Sequence, residues 1–392
     1  MPRLGGRIAS VTVAVSAAVA GLVVSAPAAS ASPSAVPAPT AKVDCKTFDA
    51  TGKCIEPGVV YALVQVGDTT YIAGDFNSVS GTPRANLAAI RADGTLDATW
   101  NPSTDGIVYA LAASSDGSKI YAGGAFTTID GQARRLAAVT ADTGAFVSTF
   151  TANTNNNLVR ALVADSGDRL FVGGSFGRIG GRAIPRLGQV SQSTGAVNAS
   201  FAPAPSGTVR ALTLSDDGAK LYAGGGFSTI GGVARPGAAE LDAVSGTVTS
   251  FAPTDGGVVI SIDVTPSGRL FFGTTSNRCW AYDPAVSNTG LYRVRTGGDV
   301  QAIVATDDEV YLGGHFNTLP EAKLNRDALA SFLPADGTPT AWNPGANGAY
   351  SVWTMGLTVT PLSPNAVPAL SIGGDFTRVG GLARRGYTKF LF

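Results

Sequence analysis

Residues 108–126 read Val108-Tyr109-Ala110-Leu111-Ala112-Ala113-Ser114-Ser115-Asp116-Gly117-Ser118-Lys119-Ile120-Tyr121-Ala122-Gly123-Gly124-Ala125-Phe126. Two short apolar runs flank an Asp-Gly turn, and the second run stops at a Gly-Gly pair followed one residue later by Phe. Runs this short are strands rather than helices, and Asp-Gly between them signals a hairpin. The closing phrase returns as Gly173-Gly174-Ser175-Phe176, Gly225-Gly226-Phe227, Gly313-Gly314-His315-Phe316 and Gly373-Gly374-Asp375-Phe376, with Ala73-Gly74-Asp75-Phe76 a near copy. Fifty residues separate Phe76 from Phe126 and Phe126 from Phe176, 51 separate Phe176 from Phe227, and 89 separate Phe227 from Phe316. The long gap holds one degenerate unit around Phe271-Phe272-Gly273, which makes seven units.

Each unit parses into four strands, a to d. Strand a is Val-x-Ala-Leu in type, as at Val159-Arg160-Ala161-Leu162, and strand b ends in the Gly pair. Strand c is a run such as Leu136-Ala137-Ala138-Val139. A turn at Asp142-Thr143-Gly144 leads to strand d, which closes on an aromatic residue and often Pro, as in Trp100-Asn101-Pro102 and Phe251-Ala252-Pro253. Four antiparallel strands recurring every ~40 to 50 residues form a unit that cannot bury both faces alone, and a ring of such units is a β-propeller. The expected fold is all-β: a seven-bladed propeller with four antiparallel strands per blade. The seventh unit stops after its third strand. The missing strand is expected at Ile55-Glu56-Pro57, which matches Phe251-Ala252-Pro253 ahead of its own strand a, so an N-terminal strand would complete the last blade and close the ring.

Composition agrees. Of 392 residues, 50 are Gly, only 14% are charged, and 28 Lys+Arg balance 28 Asp+Glu. Ordinary soluble domains carry about 25% charged residues, so this neutral, Gly-rich chain is neither a nucleic-acid binder nor disordered. The single histidine, His315, leaves no multi-His zinc site and would have to serve any Ser-His or Cys-His machinery alone. P-loop, H-E-x-x-H, G-x-S-x-G and EF-hand patterns are absent from the sequence.

At the N-terminus Arg3 and Arg7 precede an apolar run from Ile8 to Val24, followed by the small-residue sites Ala26-Pro27-Ala28 and Ala29-Ser30-Ala31. This is the layout of a secretory signal peptide, too short for a comfortable membrane span. Its removal takes the chain to a net charge of −2. The domain plan is then a signal peptide at 1–31, a Pro/Ala/Ser linker at 32–42 and a propeller at 43–392. Blades start near residues 59, 107, 158, 208, 258, 299 and 349. Cys45 and Cys54 suit a small disulfide loop in an oxidising compartment, and Cys279 reads as a buried thiol.

These units resemble the delta-60 repeat family of bacterial β-propellers, most closely at Leu87-Ala88-Ala89-Ile90 followed by Gly94-Thr95-Leu96-Asp97-Ala98-Thr99-Trp100. A weaker likeness to kelch repeats lies in the double Gly. The resemblance implies an extracellular propeller and carries no catalytic motif.

Charge sorts by face. The b–c loops carry Arg84, Arg135, Arg186, Arg235, Arg278, Arg326 and Arg385 among others, with Arg160 and Arg210 opening strand a on the same face. The opposite face collects turn acids such as Asp93, Asp116, Asp217 and Asp336. The arginines either clamp backbone carbonyls or form a guanidinium ring for carboxylate or phosphate on an anionic polymer. The position between Gly-Gly and Phe places His315, Asp375 and Asp75 on neighbouring blades. No cofactor is expected, though these three are candidates for a divalent cation or for an acid/base pair.

The sequence thus favours a secreted, non-enzymatic, monomeric propeller binding an extracellular polymer (an anionic glycan or cell-wall polymer) or a protein through its b–c loop face. The alternatives are a polysaccharide lyase or glycosidase on that face, which needs paired acids, and a structural wall-associated repeat protein. N-terminal sequencing of exported protein is expected to read from about Ser32, and material still beginning at Met1 would refute signal cleavage.

Overall fold

The computed structural model describes residues 32–392 except 156, 255–256 and 359–367. The expected signal peptide lies outside the described residues. Among those residues every regular element is a strand. Seven sheets follow one another along the chain. Sheet 1 is Val59–Val66, Thr69–Asp75 and Leu87–Ile90; sheet 2 is Val108–Ala113, Lys119–Gly124 and Leu136–Thr140; sheet 3 is Val159–Ala164, Arg169–Gly174 and Leu187–Ser191. Sheet 4 is Val209–Leu214, Lys220–Gly225 and Ala238–Asp242; sheet 5 is Val259–Val264, Leu270–Thr274, Arg278–Tyr282 and Tyr292–Arg295. Sheet 6 is Asp299–Ala305, Val310–His315 and Leu329–Phe332, and sheet 7 is Val352–Thr358, Ala369–Gly374 and Tyr387–Leu391. All are antiparallel meanders.

Their strands are apolar on both sides because each sheet is covered on both faces. The apolar cores lie between sheets rather than within them. One joins sheets 1 and 2 through Val64, Tyr71 and Leu87 against Val108, Leu111 and Ile120. Others join sheets 2 and 3, 3 and 4, 4 and 5, 5 and 6, and 6 and 7. A further core sets Tyr387 of sheet 7 against Val60, Leu63 and Ile72 of sheet 1. The first strand of sheet 1 accordingly packs against the first strands of both sheet 2 and sheet 7.

The recurrent Gly pair explains how the sheets come so close. A Cβ on Gly123 would collide with Val159 of sheet 3, one on Gly173 with Val209 of sheet 4, and one on Gly373 with Val60 of sheet 1. The second Gly faces its own sheet: a Cβ on Gly124 would strike the Ile107 carbonyl, where the first strand bulges. Both glycines are therefore set by close approach.

Two expectations change. Four regular strands occur only in the fifth unit, the one that looked degenerate. Elsewhere strand d shrinks to a single bridge after the turn, such as Val139 to Phe146 and Leu241 to Val248, and then leads to the buried aromatic. That aromatic packs on a ring of its own sheet in Tyr71–Trp100 and Tyr311–Trp342, at 5.0 and 5.4 Å. An aromatic plug with few ladder bonds does the work of a strand, its geometry set by edge-to-face packing.

Ile55 does not pair with sheet 7; it is exposed at 59%. The partner of Tyr387–Leu391 is the segment expected to be a linker. Ser34 N donates to Leu391 O and Ala38 N to Lys389 O, both at 2.8 Å, while Thr40 Oγ1 donates to Tyr387 O and Val43 N to Arg385 O. Ala38 thereby repeats the bonding of Asp97, Asn198, Thr249 and Thr340, which donate to Ala89, Gln189, Glu240 and Ser331 at the same position of their third strands. Val43 bridges Val79 as Thr104 bridges Ile129. Only after Val43 does the chain depart from the repeat, in a hairpin of Cys45–Phe48 with Cys54–Pro57. The Cys45–Cys54 disulfide links its two strands, with a Cα–Cα distance of 5.8 Å. Cys279 is buried and free.

Replacing Ala38 by Pro removes a ladder donor and is expected to cost about 1–3 kcal/mol. Ile55→Ser should stay within about 0.5 kcal/mol. Equilibrium denaturation of the two variants distinguishes the segments, and the opposite ranking would refute this assignment of the outer strand.

Candidate functional site

All seven first strands break register at one place. The shift lies between Val60 and Ala62, Val108 and Ala110, Val159 and Ala161, Val209 and Ala211, Val259 and Ser261, Val300 and Ala302, and Val352 and Thr354. A bulge re-aims the side chain it carries. The skipped residues are Tyr61, Tyr109, Arg160, Arg210, Ile260, Gln301 and Trp353, and all seven line one cavity of about 310 Å³. Thr275, Asp299 and Tyr350 complete it. The cavity lies at the ends of the first strands, beside the b–c loops.

The mouth is chemically uneven. A continuous aromatic arc runs through Tyr109, Tyr61, Trp353 and Tyr350 to His315, with ring centroids 5.3, 5.1, 5.5 and 5.6 Å apart in turn. Burial pushes the Tyr61 hydroxyl up to about 12, helped by Tyr109, Asp75 and Asp375, so it stays a neutral donor and acceptor. The Arg160 guanidinium lies 4.2 Å over the Tyr109 ring. Burial lowers its pKa and Arg210 pushes the same way, against the pull of Tyr109, yet an arginine remains a cation at neutral pH. Neither Arg160 nor Arg210 has a carboxylate partner among the described residues. Across the mouth, burial raises the Asp299 carboxyl above its ordinary value, with His315 opposing. The Gln301 amide, turned so that its nitrogen faces them, donates to Tyr350 O and Val352 O at 2.9 and 3.0 Å and ties sheet 6 to sheet 7.

A second, more open cavity of about 760 Å³ runs outward from Asp299 past His315, Asn317, Asp327, Asn347 and Arg378. It begins at Asn277, in the shortest of the b–c connections. Between strands ending at Thr274 and starting at Arg278, sheet 5 lacks the small hairpin, such as Thr128–Ile129 with Gln132–Ala133, that stands on sheet 2. The rim of the mouth is therefore low at sheet 5.

The expected guanidinium ring is resolved into two populations. Most of the b–c arginines bind backbone carbonyls. Arg84 is buried and donates to Pro83 O, Asp97 O and Ala98 O, Arg235 to Ala234 O and Thr249 O, and Arg326 to Asn325 O and Thr340 O. Each fork thus ties the foot of strand c to the outer segment of its own sheet. In sheet 7 the same fork, on Arg384, reaches Ala383 O, Pro37 O and Ala38 O. Arg135 donates to Ala125 O and Phe126 O, and Arg186 to Pro205 O. Arg278 and Arg385 are half-buried away from the mouth lining. Only Arg160 and Arg210 face the cavity.

The acids of the opposite face are turn residues: the Thr95, Ser114 and Ser215 hydroxyls donate to Asp93, Asp116 and Asp217, and these three and Asp336 accept the backbone N–H two residues on, which lowers their pKa values. The expected trio of His315, Asp375 and Asp75 is not brought together. Asp375 accepts from Ala349 N and Tyr350 N, Asp75 pairs with Lys46 at 3.0 Å, and His315 lies against Tyr350. Among the described residues no group of three His, Cys, Asp or Glu side chains is placed to hold a metal ion.

Tyr61, Tyr109, Tyr350, Trp353, Gln301 and Asp299 were not anticipated. The signal was present: the Val before x is kept in all seven units and Ala-Leu follows it in the first four, while x runs Tyr, Tyr, Arg, Arg, Ile, Gln, Trp.

The fold has known counterparts. A β-propeller domain of unknown function, DUF5122, matches residues 69–99. The WD40 β-propeller domain of Doa1 superposes with a TM-score of 0.54 at 10% identity, covering 86% of this chain and 96% of that one. This chain is a β-propeller. No curated protein matches its sequence, and likeness at this identity extends to the fold alone. In propeller terms, the sheets are blades and the mouth opens where the innermost strands begin.

Truncating Arg84 or Arg326 to Ala removes a buried fork and its bonds to the outer segment, and should cost about 1–3 kcal/mol. Arg210→Gln, at an exposed side chain, should cost less than about 0.5 kcal/mol. Thermal melts of the three variants check the division, and equal losses would refute it.

Proposed function

We propose that this chain is a secreted, non-enzymatic, seven-bladed β-propeller that binds an extracellular polymer or protein at the mouth of its central channel, on the b–c loop face. Seven inter-sheet cores, including the one that sets sheet 7 against sheet 1, support the blade number and ring closure. The bonding of Ser34 to Val43 along Tyr387–Leu391 supports closure by the N-terminal segment. The charged run and small-residue sites before Ser32 support export.

The observation that carries the binding role is the convergence of the seven bulged residues. A bulge repeated in every blade is a feature of the scaffold. Its occupants differ from blade to blade, where packing needs alone would make them alike. Tyr and Trp offer large rigid contact area at small entropic cost, and two unpaired arginines supply attraction at a distance. Hydrolytic or eliminative chemistry would ask for a pair of acids with free oxygens on the substrate side, whereas Asp75 is engaged by Lys46 and Asp375 is buried with Oδ2 held by backbone N–H groups.

The test is a binding screen of the mature protein against immobilised cell-wall polymers and secreted proteins, repeated with Tyr61→Ser/Trp353→Ser. Retention of a polymer or protein by the parent, lost at least tenfold in the double variant at unchanged melting temperature and without new reducing ends, is the expected result. Undiminished retention by the variant would remove the mouth from the binding surface.

A further inference from the structure

The mouth is not equally suited to every polymer. Its unpaired cations sit together on blades 3 and 4, and Arg160 is held in place by the Tyr109 face at 4.2 Å rather than by an acid. A guanidinium that spends its ring face on an aromatic keeps its N–H edge free, and that edge matches a carboxylate in bidentate fashion. The adjacent arc of Tyr109, Tyr61 and Trp353 offers aromatic surface with polar tips, and Ile260 is the one aliphatic side chain among the lining residues. A flat aromatic face complements the C–H face of a sugar ring, whose hydroxyls then meet the polar rim, whereas an apolar peptide anchor needs a closed apolar pocket.

Resting on the mouth as the binding site, we propose that its ligand is an acidic polysaccharide built from carboxylated sugar residues. Arg160 and Arg210 take the carboxylate, and the Tyr109–Tyr61–Trp353 arc stacks on the ring. Length follows from the second cavity. The mouth of about 310 Å³ holds one or two sugar rings, and the outward groove of about 760 Å³ shares Asp299 with it. The low rim at Thr275 to Asn277 leaves that path open, so an extended chain crosses the mouth and leaves over blades 5 to 7. A free monosaccharide acid fills only the first part and binds more weakly.

Titration calorimetry of the mature protein uses a hexamer of galacturonate, its methyl ester, galacturonate itself and poly-glutamate of similar charge. The hexamer should bind at least tenfold more tightly than its methyl ester and than the monomer. Arg160→Gln/Arg210→Gln should lose at least tenfold for the hexamer while keeping the parent melting temperature, and Trp353→Ala should lose a comparable factor. Because Arg160 stacks on Tyr109, the single variant Arg210→Gln serves as a check that does not disturb that stack and should lose several-fold. Equal binding of ester and acid overturns the carboxylate assignment. Poly-glutamate binding as tight as the hexamer overturns the sugar assignment in favour of an acidic protein partner. Failure of every acidic probe overturns the inference, while a neutral polymer or protein that still depends on Tyr61 and Trp353 leaves the mouth reading intact. Binding of the hexamer that ignores every mouth substitution overturns both.

Discussion

A valine from one sheet seated on a glycine of the next is the contact on which the rest of this propeller depends. Val159 on Gly123, Val209 on Gly173 and Val60 on Gly373 bring the inner edges of neighbouring sheets closer than a methyl group would allow. With that separation set, the remaining positions of the innermost strands are restricted to Ala, Leu and other side chains that fit a narrow wedge. The second glycine of the pair leaves room for a carbonyl inside its own sheet, and there the first strand gains its extra residue. The packing requirement and the lining of the mouth are therefore two results of one dipeptide: the first Gly spaces the blades, and the second permits the bulge that aims Tyr61, Arg160 or Trp353 at the opening.

The same residue type performs two tasks on this face, separated only by what surrounds it. Arg84, Arg235 and Arg326 sit at the foot of a strand where the carbonyls of a loosely bonded outer segment point at them. A rigid fork satisfies several such oxygens at once and substitutes for ladder bonds that the shortened strand d does not make. Arg160 and Arg210 stand at the bulge of the innermost strand and face the cavity, and Arg160 lies over the Tyr109 ring.

Much of this architecture was legible in letters. Strand lengths, turns and blade spacing follow from short apolar runs and Asp-Gly or Thr-Gly pairs, whose local chemistry permits little else. The closing segment was misread for a physical reason. Ile55-Glu56-Pro57 imitates the side-chain pattern of Phe251-Ala252-Pro253, whereas Ser34, Ala38 and Val43 join sheet 7 through backbone groups that every non-proline residue carries. Pro37 and Pro39, which mark a linker by composition, flank the donor Ala38 without occupying its position. The arginines were left between clamp and ligand ring because a sequence gives their number and face but not the carbonyls within their reach. The mouth was visible as the most variable letter after a constant Val, although only the register shift shows which way that letter points.

Pairing of residues 34–43 with residues 385–391 joins segments some 350 positions apart. Contacts of such sequence separation are the last to repay the entropy of closing the chain, and they slow folding accordingly. Interior blades can collapse on their neighbours as soon as both are present, but the two flanking blades share an open seam until the ends of the chain meet. Commitment to the native state is thereby deferred to a single late step.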